Sequence, residues 1–525
     1  MPAAPWDNGA AAKQLFVLVT GANSGIGLGI GQRLIDEFAA AHPSPYDHLV
    51  VITTTRSATK SRQTTDSLRR YLGRQEDSAA AAKSSLRPGR IHLASIELDL
   101  CNLPSVCAAA DRLRTSPLSI YTGTGKAASS PHTIPRLDSV IFNAGIGGWT
   151  GIGWWNLLTD VLFNGIPQAT TFPTCKAATG GLLVDPLTGK EVKGAGVGAV
   201  EKDGVLGQVF CANIFGHYVF AHALLPLLRG TSGDSDSNSS KTRGRSALGP
   251  GPARIIWESS VEAEGWKNLS LDDFQAIHTV AAYESSKRLT DVLALTANLK
   301  GVAPVSAPFY KADTDDSEDH SGSKSDSKSD EDGTITTPAT YVTHPGVVCS
   351  TLFPLNWFYF MLYNLAMYIS RWLGSPWHPI TAYKGAAAAV WVALQPKSAL
   401  DALDAQHVKW GTGTTRGGTA LVKRSEVEGW GFRGLVGEEL GAATTVDSTT
   451  GKAWSDGKGD PLAALFPYPA YLLNSRGRKK GAATLTAERR HEFEVLGRDC
   501  WREMERLRKE WAERVRKARE DSSQA

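Results

Sequence analysis

Tyr283 and Lys287 stand four residues apart in the stretch Tyr-Glu-Ser-Ser-Lys, a spacing that on a helix puts a phenol and an ammonium on one face. A free tyrosine titrates at about pH 10, and a cation held beside it favours the phenolate, so the phenol exchanges a proton closer to neutrality. Such a pair suits general acid–base work on a carbonyl or an alcohol. The same spacing also occurs on ordinary amphipathic helices. The pair therefore takes its meaning from the elements that must position it.

Near the start of the chain, residues 14–20 form a short apolar run that reads as a buried strand and leads into Gly21-Ala-Asn-Ser-Gly-Ile-Gly27. Strand, glycine turn and helix (28–38) make a nucleotide-binding arrangement. The glycines allow a tight turn and close approach to a pyrophosphate, and the helix N-terminus offers free N–H groups and a positive dipole end. Gly21, Asn23, Ser24, Gly25, Ile26 and Gly27 are the expected phosphate-side contacts. A third apolar run closes at Asp99, whose carboxylate suits an adenine amino group or, equally, a helix cap. A fourth strand, 137–142, ends in Asn143-Ala144-Gly145, small enough for backbone to pass close to a ribose. Asn213 sits in an apolar helical pattern, where an amide needs a partner. A fifth strand, 254–257, ends at Ser259-Ser260, and a sixth, 340–344, is closed by Pro345-Gly346.

This ordered set, Thr20-Gly-Ala-Asn-Ser-Gly-Ile-Gly27, Asp99, Asn143-Ala-Gly145, Asn213, Ser260, Tyr283-x-x-x-Lys287 and Pro345-Gly346, resembles the short-chain dehydrogenase/reductase family over roughly residues 12–395. The resemblance implies an α/β fold with a Rossmann-type doubly wound parallel sheet. It implies that Tyr283 donates the proton, Lys287 lowers its pKa and holds the nicotinamide ribose, Ser260 bonds the carbonyl oxygen, and Asn213 holds a water linking Lys287 to solvent. Val348 and Ser350, just after the Pro-Gly, join the expected cofactor contacts. One departure stands out: Ser260 precedes Tyr283 by 23 residues, about twice the family's usual interval, which Ser270 would fit. Ser260 is preferred because a strand end is a rigid platform, whereas Ser270 reads as a helix N-cap; Ser259 is the second choice.

Cofactor choice falls at the end of the second strand, where Thr55 and Arg56 replace the acid that would bind both ribose hydroxyls. Arg56, with Lys60, favours the 2′-phosphate of NADPH. Residues 345–370 contain no Asp, Glu, Lys, Arg or His. The apolar core of that stretch, 352–369, is long enough to cross a bilayer, but Pro354, Asn356 and Asn364 interrupt it and a span would drag the catalytic sheet into lipid. A substrate lid dipping into one leaflet, or a buried substrate wall, is expected. Residues 344–353 and 371–378, together with Ile255-Ile-Trp-Glu-Ser-Ser260 and Leu271-Asp-Asp-Phe-Gln275, are similar to the fungal 3-keto-steroid reductases of sterol C-4 demethylation. That similarity implies reduction of a 3-oxo sterol with NADPH in ergosterol biosynthesis. It also implies other C-4 demethylation enzymes as partners in a membrane complex, residence at the endoplasmic reticulum with lipid droplets as a further site, and the long serine-to-tyrosine interval.

The remaining sequence sets bounds. At 525 residues the chain exceeds one compact reductase unit. Segments 115–135, 230–252 and 312–333 are rich in Ser, Gly, Thr or Asp and read as disordered insertions, while 149–201 is aromatic and apolar enough to form a substrate rim. Beyond 395, residues 396–485 give no pattern, and 486–521 read as an amphipathic charged helix that packs on the domain, pairs with a partner or lies on a membrane; the basic run 476–480 suits lipid head groups. A net charge of +3 excludes an electrostatic case for nucleic-acid binding. The six cysteines have no metal or CxxC spacing, which fits a reduced, cytosol-facing protein, and no metal is expected. No apolar leader precedes the first strand, so no signal peptide is expected.

Overall fold

The computed structural model describes residues 4–7, 12–77, 87–125, 131–192, 204–228, 245–263, 265–311, 337–349, 356–437, 445–447, 453–454, 478–479 and 481–524. Its frame consists of β1 (Lys13–Thr20), α1 (Gly25–Ala41), β2 (His48–Thr55), α2 (Ala58–Asp77), β3 (Ile91–Glu97), α3 (Leu103–Thr115), β4 (Ser139–Phe142), β5 (Trp149–Ile152), α4 (Trp154–Thr171), β6 (Lys176–Ala178), α5 (Gly216–Ala223), β7 (Arg254–Glu258), α6 (Ala282–Thr296), β8 (Ala339–His344), α7 (Trp357–Trp372), α8 (Ala387–Leu394), β9 (Lys409–Thr414), β10 (Ala420–Ser425) and α9 (Ala487–Gln524).

The main sheet runs β10-β9-β8-β7-β4-β1-β2-β3, parallel except for β10. Strands β1 and β2 are apolar on both faces because both faces are covered. Phe16 and Leu18 point to a core shared with α3, α5, α6 and α9, while Leu15, Val17 and Val19 point to one shared with α1, α2 and α8. Strand order reverses between β1 and β4, and the carboxyl ends of these strands flank the crevice where open α/β sheets bind ligands. The doubly wound arrangement expected from the motifs is present.

Three boundaries differ from expectation. The sheet does not stop near residue 395, since β9 joins β8 in parallel and β10 returns antiparallel to it. Within 115–135, Tyr121–Thr122 pairs with β3, and Leu118, Ile120 and Ile134 enter the core, so this segment closes a sheet edge instead of forming a surface loop. Its three apolar side chains outweigh the surrounding Ser and Gly once burial is available. Segment 230–252 contributes Arg245–Ser246, paired with the start of β1, but most of it and all of 312–333 lie outside the described residues. Segment 149–201 forms β5, α4, β6 and a small antiparallel hairpin.

Helix α9 packs on the back of α6. Trp501 Nε1 donates to the Leu293 carbonyl at 3.1 Å, and Phe493, Cys500, Trp501, Met504, Leu507 and Trp511 are buried in the core. Among the three roles open to this helix, the apolar stripe is used for intramolecular packing. Its outer face carries i,i+3 and i,i+4 ion pairs such as Arg506–Glu503 and Arg506–Glu510.

Candidate active site

Thr20, at the end of β1, organises the nucleotide half of the site. The N–H groups of Asn143 and Ala144 donate to its hydroxyl at 3.0 and 3.1 Å, and Asn143 Nδ2 donates to its carbonyl at 3.0 Å. Gly21 has φ +67°, and a Cβ there would lie 2.8 Å from Ala144; a Cβ on Gly27 would lie 2.4 Å from the Gly21 carbonyl oxygen. These close approaches leave Asn23, Ser24 and Gly25 exposed at the start of α1, where the helix's free N–H groups face outward. Arg56 is exposed at the end of β2, and Thr55 is fixed by Ser61 at 2.9 Å. No carboxylate follows β2 at that position. The cradle thus fits a dinucleotide with a phosphate on its ribose. Asp99 Oδ1 accepts from the Cys101 N–H at 3.0 Å and braces the turn after β3, while the cap of α3 is Asn102.

Asn213 lies in a π-helical turn (Cys211–Phe215) just before α5. Its Oδ1 accepts from Ile146 N at 2.7 Å, and its Nδ2 donates to Ile146 O and Ser286 Oγ, each at 3.0 Å. The amide latches the loop after Gly145 to the helix of Tyr283, and a Cβ on Gly145 would meet its Oδ1 at 2.8 Å. Its amide group is engaged by protein partners on both sides.

The catalytic half assembles at the start of α6. Tyr283 occupies the first turn, and the Ser260 hydroxyl, which accepts from the Glu262 N–H at 3.2 Å, lies near enough to the phenol to favour its phenolate. Ser259 instead turns its hydroxyl to the Lys287 carbonyl at 3.3 Å, and Ser270 is exposed and caps its own turn through the Asp272 N–H. The strand-end serine is thus the one brought to the tyrosine. Lys287 Nζ donates to the Glu258 carbonyl at 2.7 Å and lies 5.8 Å from the Tyr283 ring centre. Burial pushes the Tyr283 phenol up to about 12, with Ser260 opposing and Glu284 and Glu258 adding to the rise. Burial pulls Lys287 down to about 8. The expected lowering of the phenol by Lys287 is absent from this geometry, because the ammonium is tied to a backbone carbonyl and desolvation dominates.

Val348 pairs with Ile380 across a parallel bridge, and Ser350 lies outside the described residues. The ends of the lid segment are thereby fastened together, with Val347 N on Trp377 O at 2.6 Å and Cys349 N on Ile380 O at 2.8 Å. The lid helix α7 lies beside α4. Thr170 Oγ1 meets Ser370 Oγ at 2.8 Å and His378 Nε2 at 3.0 Å at one end, and Trp154 packs on Tyr359 at the other, so the two helices run parallel. Both present large apolar side chains to solvent: Trp155 is 74% exposed, Phe163 78% and Trp357 78%, with Phe358, Met361, Leu362 and Leu365 alongside. The opposite face of α7 is covered, with Met367, Tyr363 and Tyr368 packed against Phe172, Val261 and Trp377. No helix among the described residues is long and apolar enough to cross a membrane.

No family model matches the chain. Among curated proteins it is 40% identical over 97% of its length to the 3-keto-steroid reductase ERG27 of Gibberella zeae, covering 96% of that protein. The Aspergillus fumigatus counterpart is 37% identical over 95% of this chain and 94% of its own. The chain belongs to the 3-keto-steroid reductase family. The Saccharomyces cerevisiae 3-keto-steroid reductase is a more distant relative, 27% identical over 79% of this chain and 90% of its own. Among solved structures, a 3-oxoacyl-[acyl-carrier protein] reductase from Brucella melitensis in complex with NAD is 13% identical, covers 73% of this chain and 91% of its own, and has a TM-score of 0.35.

Three charged groups of this reductase escaped the sequence reading. Glu258 is buried at the end of β7, accepts from Thr343 Oγ1 at 2.8 Å and is pushed up to about 7 by burial. Lys409, on β9, donates to the Ser260 carbonyl and to Asp291 Oδ2, both at 2.6 Å, and so ties the serine to the tyrosine's helix. Lys176, on β6, reaches Glu262 and Glu284. A carboxylate within Ile-Ile-Trp-Glu258 and a lysine opening Lys409-Trp-Gly-Thr were visible as charges in apolar strands. Nothing in sequence marked Lys176.

Proposed function

We infer that this chain is an NADPH-dependent reductase that converts the 3-oxo group of a sterol to a 3β-hydroxyl in ergosterol biosynthesis, at the C-4 demethylation step. The observation that carries this reading is that Ser260, 23 residues upstream at a strand end, is the serine brought beside the Tyr283 phenol, with Lys287 5.8 Å from the same ring. Bound NADPH supplies the hydride to the carbonyl carbon. Ser260 and the Tyr283 hydroxyl would hold the carbonyl oxygen, and Tyr283 would pass its proton to that oxygen as negative charge develops there. Lys287, one turn on, would exchange its backbone partner for the nicotinamide ribose and bring its charge toward the phenol. A scaffold that only binds NADPH needs neither the serine nor the tyrosine in this arrangement.

The purified protein with NADPH and a 4-methyl-3-oxo sterol is expected to yield the 3β-alcohol. Absence of that product from protein that binds NADPH, with turnover of a 3-ketoacyl or sphingoid ketone instead, would replace the sterol by another bulky lipid ketone.

The paired helices α4 and α7 support a second part of the proposal: a lid that rests in the outer part of a bilayer leaflet, where a sterol is drawn from the lipid. We propose the cytosolic surface of the endoplasmic reticulum as the site of this lid, with lipid droplets as a further site and the other C-4 demethylation enzymes as neighbours, as the similarity to the fungal reductases implies. Changing Trp155, Phe163, Phe358 and Leu362 to Asp should release the protein from lipid vesicles, and unchanged co-sedimentation would exclude the lid as the anchor.

A further inference from the structure

Lys176 belongs to the hairpin β5–β6 inserted between Gly145 and Asn213, and its side chain is 8% exposed. Its ammonium pairs with Glu262, two residues after Ser260, and with Glu284 at 3.1 Å, the residue next to Tyr283. It lies 4.3 Å from the Trp149 ring centre and 5.2 Å from that of Tyr283, and Trp149 meets Tyr283 edge-on at 4.9 Å. One cation thus touches the segment that carries the serine, the helix that carries the tyrosine and the ring of the tyrosine itself. Burial drives the Lys176 pKa down and Glu284 opposes it, as expected of an ammonium held by its carboxylates.

The charges around Tyr283 come from three elements: Glu284 and Lys287 on its own helix, Glu258 at the end of β7, and Lys176 on β6, which also holds Glu262 from the loop after Ser260. Glu284 and Glu258 both oppose formation of a phenolate. Lys176 is paired to two carboxylates of this set, Glu262 and Glu284.

We propose that Lys176 is a positioning residue for ketone reduction, clamping the Ser260 segment to the Tyr283 helix and neutralising Glu262 and Glu284. Removing its charge leaves Glu262 and Glu284 uncompensated beside Tyr283, which disfavours the phenolate. The serine also loses one tether that offsets its long sequence distance from the tyrosine. Lys409 remains as the other tether.

The proposal rests on the reductase reading, which wild-type turnover of the 3-oxo sterol tests first; the variants below are compared only with that turnover. In the reverse direction, oxidation of a 3β-hydroxy sterol with NADP⁺, the phenolate is the base, so the rate rises with pH through the apparent pKa of the site. Lys176→Met should lower kcat about tenfold or more and move that limb to higher pH, with NADPH binding by fluorescence unchanged. Lys176→Arg should restore both. Should Lys176→Met fail to bind NADPH, Lys176→Gln, which keeps polar reach without charge, is expected to show the same shift. A limb that stays in place in the neutral variants, or kcat within twofold of wild type, would overturn the assignment.

Discussion

Thr20, Gly21, Gly27 and Asn143 hold one another through short hydrogen bonds between backbone and uncharged side chains and through close backbone packing within two short motifs, whereas Ser260 and Tyr283 are brought together by charged side chains drawn from distant strands. In the first region, the residues that bind are also the residues that shape the turn. In the second, Lys409 and Asp291, 118 residues apart, join β9 to the catalytic helix, and Lys176 and Glu284, 108 residues apart, join the inserted hairpin to it. The difference teaches where each half is vulnerable. The nucleotide cradle depends on space for backbone, and the catalytic half depends on buried charge pairs whose partners must all be in place.

The largest effect should follow removal of the hydroxyl that both halves serve. Tyr283→Phe is expected to lower ketone reduction by about 10³-fold while leaving NADPH binding intact, because the phenol is the proton donor and the ring packing is kept. Normal turnover would remove the tyrosine from the chemistry.

Lys409→Met would strand Asp291 as a buried, uncompensated carboxylate and free the Ser260 carbonyl. A loss of about 3–5 kcal/mol in stability to chemical denaturation is expected. Loss of less than about 1 kcal/mol would mean that the charge pair is not what holds the catalytic half together.

The cradle should respond more selectively. Arg56→Ala is expected to weaken NADPH by about 10–100-fold, the worth of a charge-assisted contact to phosphate, and to leave NADH within a few-fold. Equal losses for the two cofactors would show that Arg56 does not read the 2′-phosphate.

The most gradual effect concerns pH. Burial pushes the Glu258 carboxyl from its ordinary 4.5 up to about 7, so the folded protein holds this proton more tightly than the unfolded chain does. Its contribution to stability is full below pH 4.5 and is lost as pH rises through about 7. Denaturation midpoints of the wild type should therefore fall relative to Glu258→Gln across that window, by at most about 1.4 kcal/mol per pH unit. Parallel curves would place the Glu258 titration elsewhere.

Legibility in sequence tracked the range of the interactions. Residues 14–27 read as strand, turn and helix because the apolar run and the glycines act locally, and β1 and α1 sit there. Tyr283 and Lys287 share one turn of α6, so their proximity was also local. The preference for Ser260 over Ser270 rested on a strand end being fixed by its neighbours, and here the Ser259 N–H donates to the Thr343 carbonyl at 2.7 Å. Segment 115–135 was misread because composition averaged over its polar residues hid Leu118, Ile120 and Ile134, whose burial depends on the open edge of β3. The setting of Lys287 was only half legible, because spacing places it near the Tyr283 ring but does not reveal the Glu258 carbonyl that accepts from its ammonium.

The amino-acid sequence by itself determined the sheet that carries the cofactor, the phenol–ammonium pair and the apolar character of α7, since each rests on residues within one or two helical turns or a single strand. Only the tertiary structure decided which serine meets Tyr283, that α4 lies beside α7, that α9 packs on α6, and that Lys176 and Lys409 bridge the Ser260 segment to the catalytic helix. The physical reason is distance along the chain. A buried ion pair or a packed helix face needs a partner whose position is set by every element folded between them, and no local pattern carries that information.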